Sequence, residues 1–202
     1  VPNHSNAQTK KETKALEKKL KSPNRLAWDR LPESQREEVY RFAEGYKSFL
    51  NRAKTEREAV EAIRGAARDA GYQSVSAREK GGKFFDVNKE KSVALAILGK
   101  APLVEGLRII VSHIDSPRID LKQNPLYEET DLALFRTHYY GGIKKYQWVT
   151  IPLALHGIIA KGDGSVLPIF IGEDPGDPVF VINDLLPHLS GKAQDQKKLA
   201  EA

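Results

Sequence analysis

Five histidines and no cysteine set the limits on the chemistry this chain can do. Without a thiol there is no disulfide framework, no thiolate nucleophile and no cysteine-based zinc site, so any metal must be held by His, Asp and Glu. His4 lies in a polar leader and is set aside. His113 is the histidine of interest, because Arg108-Ile109-Ile110-Val111-Ser112-His113-Ile114-Asp115-Ser116-Pro117 reads as an apolar strand ending at an imidazole. Ligands gather at the carboxyl ends of strands in open α/β sheets. In extended chain residues 113 and 115 project to the same side, so His113 could ligate a metal while Asp115 orients its ring. The same pattern also serves an ordinary strand-end hydrogen bond, and the residues alone leave both readings open. His188 reads by itself as a surface histidine at a helix start. His138 and His156 are left out of the metal set, and His156, at the end of an apolar strand, is read as a satisfied core histidine.

The elements that must position these residues change character along the chain. Lys10 to Lys21 reads as a charged helix ended by Ser22-Pro23, followed by an apolar anchor of Leu26, Trp28 and Leu31. Ser34 with Glu37 has the spacing of a capping box. Val39, Phe42, Ala43, Tyr46, Phe49 and Leu50 then recur at three and four residue steps, which predicts a helix with a buried stripe. Thr55 with Glu58 repeats the cap, Ala59, Val60, Ile63, Ala67 and Ala70 form a second stripe, and Gly71 is placed to stop it. From Lys83 the period shortens. Phe84 to Val87, Ser92 to Leu98 and Leu107 to His113 read as strands, the last two apolar enough to be covered on both faces. Beyond Asp120 the segments around Tyr127, Leu132 to Phe135, Tyr146 to Leu155, Gly157 to Ala160, Leu167 to Ile171 and Val179 to Ile182 alternate with turn clusters, predicting a mostly β unit. Leu185 to Ala202 reads as a polar helix without a cap, so the chain looks interrupted rather than concluded.

His113-Ile114-Asp115-Ser116-Pro117 resembles the His-Thr-Asp-Ser-Pro motif of the aspartyl aminopeptidase and aminopeptidase I family of dinuclear zinc exopeptidases. Tyr140-Gly141-Gly142 with Trp148 is similar to that family's Tyr-Gly-Gly and Trp segment. Ile182-Asn183-Asp184-Leu185-Leu186-Pro187-His188-Leu189 is similar to its Ile-Pro-x-Leu-Ala-Ile-His-Leu segment, and the spacing from His113 to His188 is close to the family's. The resemblance covers most of residues 35 to 190. Two departures point to a divergent, bacterial-type branch: Ile114 stands where Thr is usual, and Trp148 is followed by uncharged residues where the family carries Asp-Arg-Asp. The resemblance implies that His113 is a zinc ligand, Asp115 the carboxylate beside it, and His188 a substrate-binding residue reaching into the site of a neighbouring subunit. It also implies two zinc ions per complete site, with cobalt or manganese acceptable to the same donors. The remaining acidic ligands, the paired glutamates and the last histidine of the family lie in a C-terminal half that has no counterpart here, so these 202 residues alone are expected to be inactive.

Composition agrees with a globular protein: 40% hydrophobic and 29% charged residues leave no apolar run able to span a membrane. The formal net charge of +5 is concentrated between Lys10 and Lys21, where a solvated helix accounts for it without a polyanionic partner. Tyr139, Tyr140, Lys144, Lys145, Tyr146 and Trp148 have the composition of a surface that stacks single-stranded nucleic acid. No ribonucleoprotein motif accompanies them, and neither Gly81-Gly82 nor Gly141-Gly142 makes a phosphate loop, so nucleic acid is not the expected partner. Nothing near Val1 resembles a secretory signal, and the cytoplasm is the expected compartment. The expected fold class is α/β: a charged leader and anchor over residues 1–33, the start of a zinc-exopeptidase-type α/β catalytic domain over 34–117, and part of a β-rich dimerisation domain over 118–202. The expected function is zinc aminopeptidase action on peptide substrates, with self-association through 118–202. The alternative is a non-catalytic oligomerisation module of the same family.

Overall fold

The computed structural model describes residues 4–22, 26–77, 82–184, 186 and 188. It divides into two compact units, residues 1–48 and 49–202.

In the first unit, α1 spans His4–Leu20, beginning earlier than the lysine run suggests. The anchor holds a 3-10 turn at Trp28–Arg30, where Trp28 meets Tyr40 edge-on at 5.6 Å and the Arg36 guanidinium lies over its ring. The anchor is not buried, however, since Leu26 is exposed. Helix α2 runs Glu33–Arg52. It begins before the expected cap: the Pro32 carbonyl accepts from the amides of Gln35 and Arg36, which leaves Ser34 inside the first turn. No residue of α2 is buried, and Val39, Phe42 and Tyr46 of the expected core stripe face solvent. The periodicity identified the helix correctly, and Ala43 and Phe49 of its stripe are half-buried.

The second unit is built on α3, Glu56–Asp69. Thr55 caps it by accepting from the Glu58 amide, and the Thr55 hydroxyl in turn donates to the Glu58 carboxylate at 2.8 Å. At the other end Gly71 adopts a φ of +81°, where a side chain would be strained, so that Tyr72 can donate back to the Ala67 carbonyl. Of the expected stripe Ala59, Val60 and Ala67 are buried, Ile63 is half-buried and Ala70 is exposed, and the three buried residues make the core with Ala53 and Phe85. This face packs on a three-stranded sheet ordered β1 (Gln73–Ser74), β2 (Lys83–Asn88), β3 (Ser92–Ile97). β1 is parallel to β2, and β2 and β3 form a hairpin whose turn puts Lys89 and Glu90 at positive φ.

Two antiparallel hairpins follow: β4 (Arg118–Glu129) with β5 (Leu132–Tyr140), and β6 (Leu155–Ala160) with β7 (Val166–Ile171). The first has an irregular register between Leu121 and Leu126 and turns at Thr130 and Asp131, both at positive φ. A mostly β texture beyond residue 118 is therefore observed.

Two expectations for strands fail. Leu107 to His113 enters no ladder among the described residues, and Ile109, Ile110 and Val111 are 73%, 98% and 86% exposed, where burial on both faces was expected. β3 is paired along one edge, but Leu95 and Ile97 are exposed. An uninterrupted apolar run calls for cover on both faces, and the described residues supply little of it. Tyr146 to Leu155 contains a 3-10 turn at Lys145–Gln147 and becomes a strand only at Leu155. The expected terminal helix over 185–202 falls almost wholly outside the described residues.

Candidate active site

The β4–β5 hairpin brings two distant motifs together. Its register sets Arg118, just after His113-Ile114-Asp115-Ser116-Pro117, directly opposite Tyr140, the first residue of Tyr140-Gly141-Gly142. Gly141, at a φ of +71°, lies against the Pro117 ring. A Cβ there would meet Pro117 at ordinary contact distance, so the glycine is required by its backbone angle rather than by lack of room. Pro117, Gly142 and Trp148 line one open cleft of about 390 Å³ with Ile143, Lys144 and Gln147.

At the centre is the Asp115 carboxylate. Its Oδ2 accepts from the Tyr140 hydroxyl at 2.9 Å, and its Oδ1 lies 3.0 Å from His113 Nδ1. The backbone carbonyl of Asp115 is also 3.0 Å from that nitrogen. The Tyr140 phenol, then the Asp115 backbone and then His113 hold the Asp115 carboxyl below its ordinary range. The same hydrogen bond pushes the Tyr140 phenol above its ordinary range, because it favours an ionised carboxylate beside a neutral phenol. The His113 side chain is 81% exposed.

Behind the tyrosine stands Arg118. Its guanidinium carbon lies 4.0 Å from the Tyr140 ring centroid, NH1 donates to Glu56 at 3.0 Å, and Nε donates to Asp120 at 2.7 Å. Burial works against the charge of Arg118, but Asp120 and Glu56 outweigh it and its pKa is raised. Glu56 belongs to the first turn of α3. That turn also reaches the other hairpin: Glu58 accepts from His156 Nδ1 at 2.8 Å, while His156 Nε2 meets Glu173 at 2.7 Å and Lys54 pairs with the same Glu173 oxygen.

The structure therefore brings His113 and Asp115 together and adds Tyr140 to them. His188 is exposed and no described contact joins it to this group. His156 is mostly buried and engaged on both ring nitrogens, while His138 Nδ1 meets the Tyr139 carbonyl at the surface. Arg118 and Glu56 were missed in the sequence, since an isolated Arg and Glu 62 positions apart carry no local signal. The strand register opposite Tyr140 could have singled out Arg118. His113 suits a metal, with one nitrogen against a carboxylate and the other open to solvent. It supplies one ligand: no group of three His, Asp or Glu able to hold an ion occurs among the described residues.

Residues 49–202 match the family described as aminopeptidase I zinc metalloprotease (M18). A Clostridium acetobutylicum protein named "Probable M18 family aminopeptidase 1" is 46% identical over 178 residues, 85% of this chain and 38% of the relative. A Thermotoga neapolitana protein of the same name is 46% identical over 82% of this chain and 36% of its own length. The crystal structure of an M18 family aminopeptidase from Thermotoga maritima superposes with a TM-score of 0.77 at 39% identity, over 90% of this chain and 41% of that one. Aminopeptidase I from Borrelia burgdorferi B31 gives 0.75 at 42% identity, over 81% and 41%. The chain thus spans about two fifths of the length of the relatives it matches.

Proposed function

The chain belongs to the aminopeptidase I zinc metalloprotease family, and on that premise we propose that it forms the N-terminal part of a zinc-dependent aminopeptidase that removes N-terminal residues from peptides. The observation that carries the proposal is the meeting of two family-like motifs through the Tyr140–Asp115 hydrogen bond. His113 would hold zinc through its solvent-facing Nε2, and Asp115 would fix the ring. When bound, zinc supplies Lewis-acid polarisation of the scissile carbonyl and makes an attacking water more acidic. Two ions per site, and cobalt or manganese in place of zinc, belong to the same reading.

The remaining expectations join this proposal. Residues 1–33 act as leader and anchor, 34–117 contribute to the catalytic domain, and 118–202 pair subunits, with His188 offered to a neighbour's substrate. The strand texture beyond Arg118 supports that layout. No helix among the described residues is long and apolar enough to cross a membrane, which accords with cytoplasmic action. An assembly-only module is the weaker reading, since the relatives are named as aminopeptidases.

The test replaces the aligned part of the Clostridium acetobutylicum relative with this chain and assays the chimera, the relative and the 202 residues alone on a panel of aminoacyl substrates with zinc, cobalt or manganese. Metal-dependent turnover by the chimera, abolished by His113→Ala and absent from the isolated chain, is the expected result. A folded chimera without turnover beside an active relative would overturn the proposal.

A further inference from the structure

The Nδ1 atom of His113 faces two oxygens, the Asp115 carboxylate and the Asp115 carbonyl, each at 3.0 Å. Both are acceptors, so Nδ1 carries the proton and Nε2 presents its lone pair to solvent. An imidazole as exposed as this one has no packing to hold its ring, and its tautomer is set by these two Asp115 oxygens, of which the carboxylate is the one a side-chain partner can orient. That carboxylate is itself partly exposed, and its second oxygen is held by one long-range donor, Tyr140. The phenol is seated in turn: Arg118 stacks on its ring, and Asp120 and Glu56 fix the guanidinium from two sides. An arginine bonded to two carboxylates through two different nitrogens is a rigid platform, because its plane is set by both bonds.

We propose that Tyr140 and Arg118 are positioning residues for His113: the phenol, seated on the clamped guanidinium, fixes the Asp115 carboxylate so that His113 is held as the Nδ1–H tautomer with Nε2 free to ligate. The proposal rests on the reading of His113 as a zinc ligand for its use, but the arrangement exists in the chain without metal. Glu56 carries it one step further, since it ties the orientation of His113 to the first turn of α3.

The experiment is histidine-labelled ¹⁵N NMR on the metal-free chimera, at a pH alkaline of imidazole titration, where the two ring-nitrogen shifts report the tautomer directly. His113→Gln assigns the resonance. The unsubstituted chimera is expected to show the Nδ1–H form dominant at His113. Tyr140→Phe, which removes one oxygen and keeps the ring, is expected to shift the population toward the Nε2–H form that free imidazole side chains favour. Arg118→Lys, which keeps the charge but loses the planar stack on Tyr140 and the two separate bonds, is expected to shift it in the same direction by less. Unchanged amide dispersion over β4 and β5 shows that each variant keeps its hairpin, and if Tyr140→Phe loses it, Arg118→Lys carries the test. A His113 tautomer unmoved in the folded variants would overturn the proposal.

In the chimera, Tyr140→Phe is expected to weaken zinc binding about 10–100-fold, as loss of a partner behind a ligating histidine does. If the tautomer follows Tyr140 while the unsubstituted chimera shows no metal-dependent turnover, the positioning stands and the aminopeptidase reading falls.

Discussion

Asp115 is a small residue with a large share of the site's order, because each of its carboxylate oxygens has a different partner, one local and one brought in by a hairpin. His156 makes a comparable arrangement away from the candidate metal ligand, with a carboxylate at each ring nitrogen and only 12% of its side chain exposed. His156→Ala is expected to lower stability by about 1–3 kcal/mol, since one Glu58 oxygen then loses its partner in a poorly hydrated position while the other keeps Thr55. A chemical denaturation midpoint equal to wild type would contradict that. Gly172 offers a test of backbone demand. It sits at a φ of +100°, and an added Cβ would lie 3.1 Å from the Ala154 Cα and 3.2 Å from the Leu153 carbonyl oxygen, backbone atoms that cannot swing aside. Gly172→Ala is therefore expected to cost about 1–3 kcal/mol. Gly65→Ala, in the middle of α3 with open space around it, is expected to be neutral or stabilising by up to about 1 kcal/mol. Thermal melts of the pair side by side separate the two effects.

The first turn of α3 is where the elements of the second unit are tied together. Glu56 holds Arg118 at the start of β4, Glu58 holds His156 on β6, and Lys54, just ahead of the cap, holds Glu173 beyond β7. The Lys54 ammonium first, and then His156, hold the Glu173 carboxyl below its ordinary range. A carboxyl whose folded value is depressed stabilises the fold above its unfolded value of about 4.5 and loses that contribution as pH falls through its folded value. The thermal midpoint should therefore fall on acidification from about pH 5 to about pH 3, and Lys54→Met, which removes the largest cause, should flatten that limb. Parallel acid limbs in the two proteins would show that the clasp has no part in it. The Thr55–Glu58 cap beneath this hub was legible in the sequence because capping is local and its residue types are few. The hub itself was not, since its partners lie 62 to 119 positions away and are specified only by which hairpin docks where. The same distinction separates His113-Ile114-Asp115, readable from its spacing, from Tyr140, whose motif was visible but whose hydrogen bond to Asp115 follows from the β4–β5 register.

Across the whole molecule, the excess of apolar surface is what sequence patterning could not foresee. Period and run length report that a segment needs cover, and they do so without saying what provides it. Leu103, Val104, Leu107, Ile109, Ile110 and Val111 are exposed within nine consecutive positions, and Leu95, Ile97 and Leu98 are exposed on and just after β3. A single buried side chain such as Val60 contributes about 1.5–3 kcal/mol, and the described core holds few of them. A stable monomer seldom leaves so much contiguous apolar surface to water. The isolated 202-residue chain is therefore expected to bind a hydrophobic dye such as ANS and to associate at micromolar concentration, increasingly so in sulfate, which strengthens apolar burial. Ile110→Lys together with Val111→Lys is expected to reduce both dye binding and association while leaving the far-ultraviolet circular dichroism intact, because neither residue belongs to a helix or a paired strand. In the chimera the same pair is expected to be destructive if the relative's remaining three fifths covers this run, as an apolar run of this kind requires. Sedimentation of the isolated chain as a monomer with no dye signal would mean that these residues find cover within the 202 positions themselves.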